Sequence, residues 1–190
     1  MFSMHESQAW DEFRRQRWLV DQLASMHASL ANRYQACRTA SLLLVMGLSV
    51  LGAGFAFAAS GVTITLLGFD AARETWVGAL ALIVLGLSIA DLVTDWAGRS
   101  RTHQAAVRDL AALKVAYREV RPSGGASVPP AGLTLRYNAL MDTLPLIPER
   151  AFNSLKARHL RKVEISKVLS QHPGLSAWAA GRQVRERARI

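Results

Sequence analysis

The distribution of apolar and charged residues divides the chain into blocks that predict different surroundings. Residues 39–69 contain no charged residue, and neither do residues 75–90. A bilayer core about 30 Å thick requires roughly 20 helical residues, so the first block is long enough to span it. The second block reaches that length only if it includes Asp91 and continues to Trp96. The predicted transmembrane helices are residues 39–60 and 75–97.

The segments that flank these blocks have helical patterns of their own. Residues 1–38 are predicted to form a cytosolic helix with charges throughout, and one apolar face of it comprises Leu19, Leu23, Met26, Leu30 and Tyr34. This face either packs on a neighbouring helix or lies on the lipid surface. After the second block, apolar residues recur at spacings of three and four. This heptad-like seam comprises His103, Ala106, Leu110, Leu113, Tyr117 and Val120. It predicts that the second span continues through residues 98–121, and that the seam packs either on the N-terminal helix or on a second protomer.

The remaining segments complete an all-helical prediction. Residues 61–74 connect the two spans, and their apolar first half either extends the first helix or lies at the interface. Glycine and proline mark residues 122–132 as a flexible linker, and residues 133–190 are predicted to form C-terminal cytosolic helices. No stretch alternates like a strand for long. The predicted fold is an all-α membrane protein, a two-span helical hairpin with a long cytosolic helical extension and a C-terminal helical region.

The distribution of lysine and arginine predicts the orientation of the hairpin. The chain has a formal net charge of +9, and its 23 basic residues are unevenly placed. Five of them lie at or before Arg38, one lies in the 61–74 connection, and 17 lie from Arg99 onward. The positive-inside rule therefore places both termini in the cytoplasm and the connection outside.

Small residues spaced four apart within the spans suggest helix–helix interfaces. Such pairs allow two helix backbones to approach closely in lipid. Glycine and alanine are also simply common in membrane helices, so the composition alone leaves both interpretations open. The candidate packing residues are Gly47, Ser49, Ala53, Gly54, Ala58, Gly86 and Ala90.

Two aspartates interrupt the end of the second apolar block. Asp91 and Asp95 are one helical turn apart, and a carboxylate at that depth requires a partner or water. In an antiparallel hairpin Arg38 enters the membrane on the side where they leave it, so an ion pair is one expectation. The other is that several copies assemble and the two aspartates line the cytosolic mouth of a cation-favouring pore.

The sequence contains no convincing catalytic constellation. It lacks phosphate-binding glycine motifs and metal-ligand spacings, and Cys37 is its single cysteine, so we expect no catalytic residue, cofactor, metal or disulfide framework. A basic cluster in the C-terminal region predicts contact with anionic lipid or an acidic protein. Direct nucleic-acid binding is disfavoured, because no aromatic platform accompanies the cluster. The cluster comprises Lys156, Arg158, Arg161, Lys162 and Lys167.

Over roughly residues 25–175 the pattern resembles a known family. A helix ending in NRYQACR, two spans, a long helix ending in LKVAYREV, and the segment LRYNALMDTLPLIPERAFNSLKARHLRKVEISKVLSQHP are similar to the SLATT family, the SMODS- and SLOG-associating two-transmembrane effector domains of bacterial conflict systems. Members often carry an asparagine–histidine pair after the Tyr137-Asn138 turn, where this chain has Leu146-Ile147-Pro148. The resemblance implies a non-catalytic effector in the bacterial inner membrane, held silent by a sensor, a nucleotide-synthesising partner or a reverse transcriptase encoded nearby.

Two functional hypotheses follow. The first is a homo-oligomeric effector of antiphage defence that perturbs the inner membrane as a pore or channel, ending in abortive infection. The second is a membrane-anchored scaffold whose basic cytosolic helices recruit a soluble partner.

Overall fold

The computed structural model describes residues 3–57, 63–66, 68–120 and 131–187, and 88% of the structure is helical. This confirms the predicted dominance of helix. The helices are α1 (Ser3–Phe57), α2 (Arg73–Thr94), α3 (Trp96–Glu119), α4 (Ala131–Thr143), α5 (Glu149–Gln171) and α6 (Ala177–Arg187). The chain divides into two compact units, residues 31–101 and residues 1–30 with 102–190.

The connection between the apolar helices contains a β-hairpin that the sequence pattern did not predict. Strands β1 (Thr63–Leu66) and β2 (Phe69–Ala72) pair antiparallel, and Thr63 lies opposite Ala72. Gly68 lies in the tight turn at φ +84°, a conformation that costs glycine little. The alternation of Thr and β-branched Ile in β1 favours a strand, but four residues are too few for the pattern to stand out. The prediction that the connection either extends the first helix or lies at the interface therefore missed this element.

The long second helix continues beyond Trp96 as predicted, with one non-helical residue in it. Asp95 lies between α2 and α3 with φ 43° and ψ 55°, which is the left-handed region. The predicted linker 122–132 is shorter in the structure, because α4 begins at Ala131; residues 122–130 lie outside the described part of the chain, as do residues 58–60 of the predicted first span.

The core of the second unit forms where the N-terminal half of α1 packs on α3 and α4. The buried cluster comprises Phe13, Val20, Leu110, Leu113, Tyr117 and Leu133. The seam predicted on α3 is therefore a packing face, and its first five members are all buried. The N-terminal helix uses a broader face than predicted: Met26 and Leu30 are buried, Leu19, Leu23 and Tyr34 are half-buried, and Phe13 and Val20 carry much of the contact.

Proline sets the bounds of α5. Pro148 is the N-cap residue with φ −56°, as its ring requires, and the helix ends at Gln171 before His172 and Pro173. The helix lies within residues 133–190, for which the sequence predicted helices. α6 packs on α5, and a Cβ added at Gly181 would lie 3.5 Å from Ile165 Cδ1.

Candidate functional site

The two apolar helices expose the surface that a soluble protein would bury. Within α1 and the α2–α3 helix, 0% and 6% of the most apolar 18-residue window is buried inside the structure. The core helix of a soluble protein would be mostly buried, whereas these segments present side chains such as Leu43, Val50, Leu82 and Leu92 to their surroundings. Both helices are long and apolar enough to cross a membrane.

Within the unit formed by residues 31–101, small residues allow α1 and α2 to approach. Leu80 is buried, and a Cβ added at Gly52 would lie 3.9 Å from its side chain. A groove of about 530 Å³ runs beside this contact, and Ser49 and Ala53 line it from α1. Two of the predicted packing residues therefore lie on the side of α1 that faces α2.

The other predicted packing residues point away from that contact. A Cβ added at Gly47, Gly54 or Gly86 would meet nothing within 4 Å, and Ala90 is exposed. Ala58 lies outside the described residues. Glycine has no side chain and alanine only a methyl group. These positions therefore leave one smooth face on α1 and one on α2, and a neighbouring helix can approach each of them closely.

Asp95 acts as a helix cap. Its backbone N–H donates to the carbonyl of Asp91 at 3.0 Å and closes α2, while its Oδ1 accepts from the backbone N–H of Gly98 at 2.9 Å and opens α3. Aspartate suits both tasks, because it tolerates the left-handed region and is a strong N-cap residue. A Cβ at Gly98 would collide with the Asp95 carboxylate, so a larger residue there would displace that side chain from its capping position.

Asp91 and Arg38 occupy different environments and do not pair. Asp91 Oδ1 is sealed from solvent and accepts a hydrogen bond from no described residue. Arg38 is exposed, and among the described residues no ion pair joins it to either aspartate. The two aspartates therefore differ in their hydrogen bonding. The carboxylate of Asp95 accepts a bond from the backbone, whereas one oxygen of Asp91 has no donor.

A few residues after Asp95, a hydrogen bond from a side chain of α3 to the backbone of α1 joins the two helices. Ser100 Oγ donates to the carbonyl of Ala31 at 3.1 Å, and both residues are buried. The rings of Tyr34 and Trp96 stack with centroids 6.0 Å apart. Ala31 and Tyr34 of α1 thus meet Ser100 and Trp96 of α3, close in sequence to Asp95.

A buried histidine pair lies in the unit that contains residues 1–30 and 102–190. The Nδ1 atoms of His27 and His103 are 2.9 Å apart, so one must carry a proton and the other must accept it. Burial lowers the pKa of His27 to about 4, with a further lowering from the charge of His103, and burial also lowers the pKa of His103. No ligand spacing in the sequence connects these two residues, and they meet because α1 and α3 pack antiparallel.

Two more polar contacts continue the same interface. Tyr117 O–H donates to Gln16 Oε1 at 2.6 Å, and burial raises the pKa of Tyr117 to about 12. Lys114 Nζ donates to Asp21 Oδ1. These pairs, together with the histidines, hold α1 and α3 in a single register, because a shift by one residue would leave buried polar groups without partners.

The basic residues of α5 do not form one patch. All five are exposed, but 3.6 residues per turn place Arg158, Arg161 and Lys162 on one side of the helix and Lys156 and Lys167 on the opposite side. Lys167 is also paired with Glu164 at 2.7 Å.

Among the described residues, no group of three or more His, Cys, Asp or Glu is placed to hold a metal ion. Comparisons with protein-family models, curated proteins and solved structures find nothing that matches this chain.

Proposed function

We propose that this chain is a membrane effector of a bacterial antiphage system, which oligomerises in the inner membrane and perturbs it once a partner or signal releases it. The observation that carries the proposal is the uncovered surface of the two apolar helices, 0% and 6% buried in their most apolar windows. A surface of this kind is stable only against lipid or another protein surface.

A two-span hairpin with both termini in the cytoplasm fits the distribution of charge. The β-hairpin joins the two apolar helices, and 17 of the 23 basic residues follow Arg99. In this arrangement the β-hairpin lies outside the cell, and the α3–α6 region extends into the cytosol.

Self-assembly is supported by the helix faces of α1 and α2 that contact no other part of the described chain. Gly47 and Gly54 form one open face and Gly86 and Ala90 another. Asp91 Oδ1 lacks a donor at the cytosolic end of the span. Because this oxygen is sealed from solvent in the single chain, the Asp91 side chain must rotate on assembly before it meets water in a central pathway or a donor of the next protomer, and either would lower the cost of the carboxylate.

The biological setting rests on the resemblance to the SLATT family, whose members are thought to act without catalysis in bacterial conflict systems. The direct test is expression of the chain alone, followed by a voltage-sensitive dye. We expect rapid depolarisation, and we expect Asp91→Asn to slow it while the protein still reaches the membrane. An unchanged membrane potential at high expression would remove the effector proposal.

A scaffold is the second candidate, because the side of α5 that carries Arg158 and Arg161 is exposed and unpaired among the described residues. In this case the spans only tether the helices. Replacing both spans by unrelated apolar helices separates the candidates, since a scaffold keeps its activity after the exchange and a membrane-perturbing effector loses it.

A further inference from the structure

A polar cavity lies in the unit formed by residues 1–30 and 102–190, and the function proposed above does not use it. The cavity has a volume of about 410 Å³ and is lined by α1, α3 and α5. This volume is within the range of small-molecule sites. The lining residues that carry the argument are Asp21, Ser25, Lys114, His159, Lys162 and Ser166.

Helical spacing brings these side chains to one place. His159, Lys162 and Ser166 are three and four residues apart, so they share one face of α5. Asp21 and Ser25 are four apart and share a face of α1. The cavity is therefore built from two regular helix faces, and Lys114 of α3 closes a third side.

The charge of the lining is positive. Lys114 is paired with Asp21, so these two charges offset each other. Lys162 forms no ion pair with any described residue, and its ammonium group is left to attract an anion.

His159 provides an independent indication of a ligand. The residue is 4% exposed, lines the cavity, and makes no hydrogen bond with any described residue. No ring nitrogen of His159 is sealed from solvent, so the imidazole is open to the cavity, from which water or a ligand satisfies it.

We propose that this cavity binds a phosphoryl group. The ammonium of Lys162, the imidazole N–H of His159 and the hydroxyls of Ser25 and Ser166 offer donors from two opposing helices. A phosphoryl group has three acceptor oxygens that point in different directions, and it matches such a set better than a planar carboxylate does. The phosphoryl group belongs either to a free small molecule or to the headgroup of an anionic lipid.

The test follows the His159 ring by NMR in the full chain, labelled with ¹⁵N-histidine and purified in a non-ionic detergent; His159→Gln assigns the signal. Inorganic phosphate is titrated against chloride at constant ionic strength. In a second arm the protein is placed in nanodiscs of phosphatidylcholine with or without phosphatidic acid. We expect a saturable shift of the His159 signal in one arm, and that arm identifies the source of the phosphoryl group.

Lys162→Gln and Lys156→Gln form a matched pair, since both remove one exposed lysine from α5 and only Lys162 lines the cavity. Loss of a charge-assisted hydrogen bond weakens binding about tenfold, so we expect this change for Lys162→Gln and almost none for Lys156→Gln. Equal weakening by both variants would reduce the effect to general electrostatic attraction and overturn the site. The absence of a saturable shift in both arms would overturn it as well.

Discussion

Asp95 combines a positive φ with a capping side chain, and both features depend on its being aspartate. Its carboxylate accepts from Gly98 N–H at 2.9 Å, and its backbone closes α2 through the carbonyl of Asp91. Aspartate is a favoured N-cap residue, but the apolar pattern around Asp95 predicted an uninterrupted helix. The carboxylate is therefore explained by a local structural role, separately from any role in a pore.

Substitutions at Asp95 distinguish capping from charge. Asparagine also caps helices and tolerates positive φ, so we expect Asp95→Asn to change the free energy of unfolding by less than about 0.5 kcal/mol. Asp95→Ala loses the cap and leaves a residue that disfavours the left-handed region, and we expect a loss of about 1–2 kcal/mol. Thermal unfolding in detergent, followed by circular dichroism, measures both. An equal loss for the two variants would mean that the charge matters and the cap does not.

The histidine pair predicts a pH-dependent stability. Because the pKa of His27 is about 4 in the folded chain and 6.5 in its ordinary state, the unfolded chain binds more protons between these values. The stabilisation is fully present above pH 6.5 and is lost as the pH falls towards 4, by an amount on the order of 3 kcal/mol.

Unfolding curves of the unmodified chain and of His27→Gln across this range measure the effect. We expect the variant to lose much of the pH dependence, since glutamine does not titrate. His172→Gln is the matched control, because His172 is exposed and its replacement should leave the dependence intact. Parallel curves for all three proteins would contradict the assignment.

At the scale of elements, packing decided which faces of the helices are used. The heptad spacing on α3 predicted its buried face correctly, because burial of apolar residues at that spacing needs only one partner helix. The face of α1 was harder to predict, since α1 packs on more than one element and its buried set includes Gln16, Gln22 and His27. Polar residues in a buried face weaken a hydrophobic pattern, and their partners, such as Tyr117 for Gln16, are far away in sequence.

The open glycine faces of the apolar helices predict the effect of larger side chains. We expect Gly54→Leu to leave the α1–α2 contact intact, since an added Cβ meets nothing there, and to weaken association between copies by about 1–3 kcal/mol through overpacking of a close helix contact. Native mass spectrometry in detergent gives the fraction of oligomer.

Gly52→Ala is the control for this experiment. Its Cβ would lie 3.9 Å from Leu80, an ordinary van der Waals distance, so both the α1–α2 contact and the oligomer should persist. An unchanged mass distribution for Gly54→Leu would exclude this face of α1 from the interface.

For the whole molecule, the proposed topology makes the β-hairpin the external part of the chain. Cys37 is the single cysteine, so a Cys37→Ser background allows one new cysteine to report its location. Phe69 is 70% exposed in the β-hairpin and Leu146 is 93% exposed between α4 and α5. We expect a membrane-impermeant maleimide to label Phe69→Cys in intact cells and Leu146→Cys only after lysis. Reversed labelling would invert the topology, and labelling of both in intact cells would argue against a single orientation.

Properties that depend on composition over many consecutive residues can be predicted from the amino-acid sequence alone. The apolar character of residues 39–69 and 75–90 depends only on the absence of charged residues there. The bounds of α5 depend on the restricted φ of Pro148 and on Pro173 and Gly174, which follow the helix. The helical character of nearly the whole chain follows for the same reason, since local propensity and hydrophobic spacing act within a few turns.

Properties that depend on register between helices arise when the helices pack. His27 and His103 are 76 residues apart, and they meet because α1 and α3 pack antiparallel at one offset. Within residues 31–101, packing decides that the face of α1 with Gly52 rather than the face with Gly54 meets α2. In the other unit, the packing of α5 leaves His159 in a cavity wall. The spacing of apolar residues identifies which face of a helix is buried. It does not identify which residues of the neighbouring helix lie opposite that face, because this depends on buried polar contacts between residues far apart in sequence.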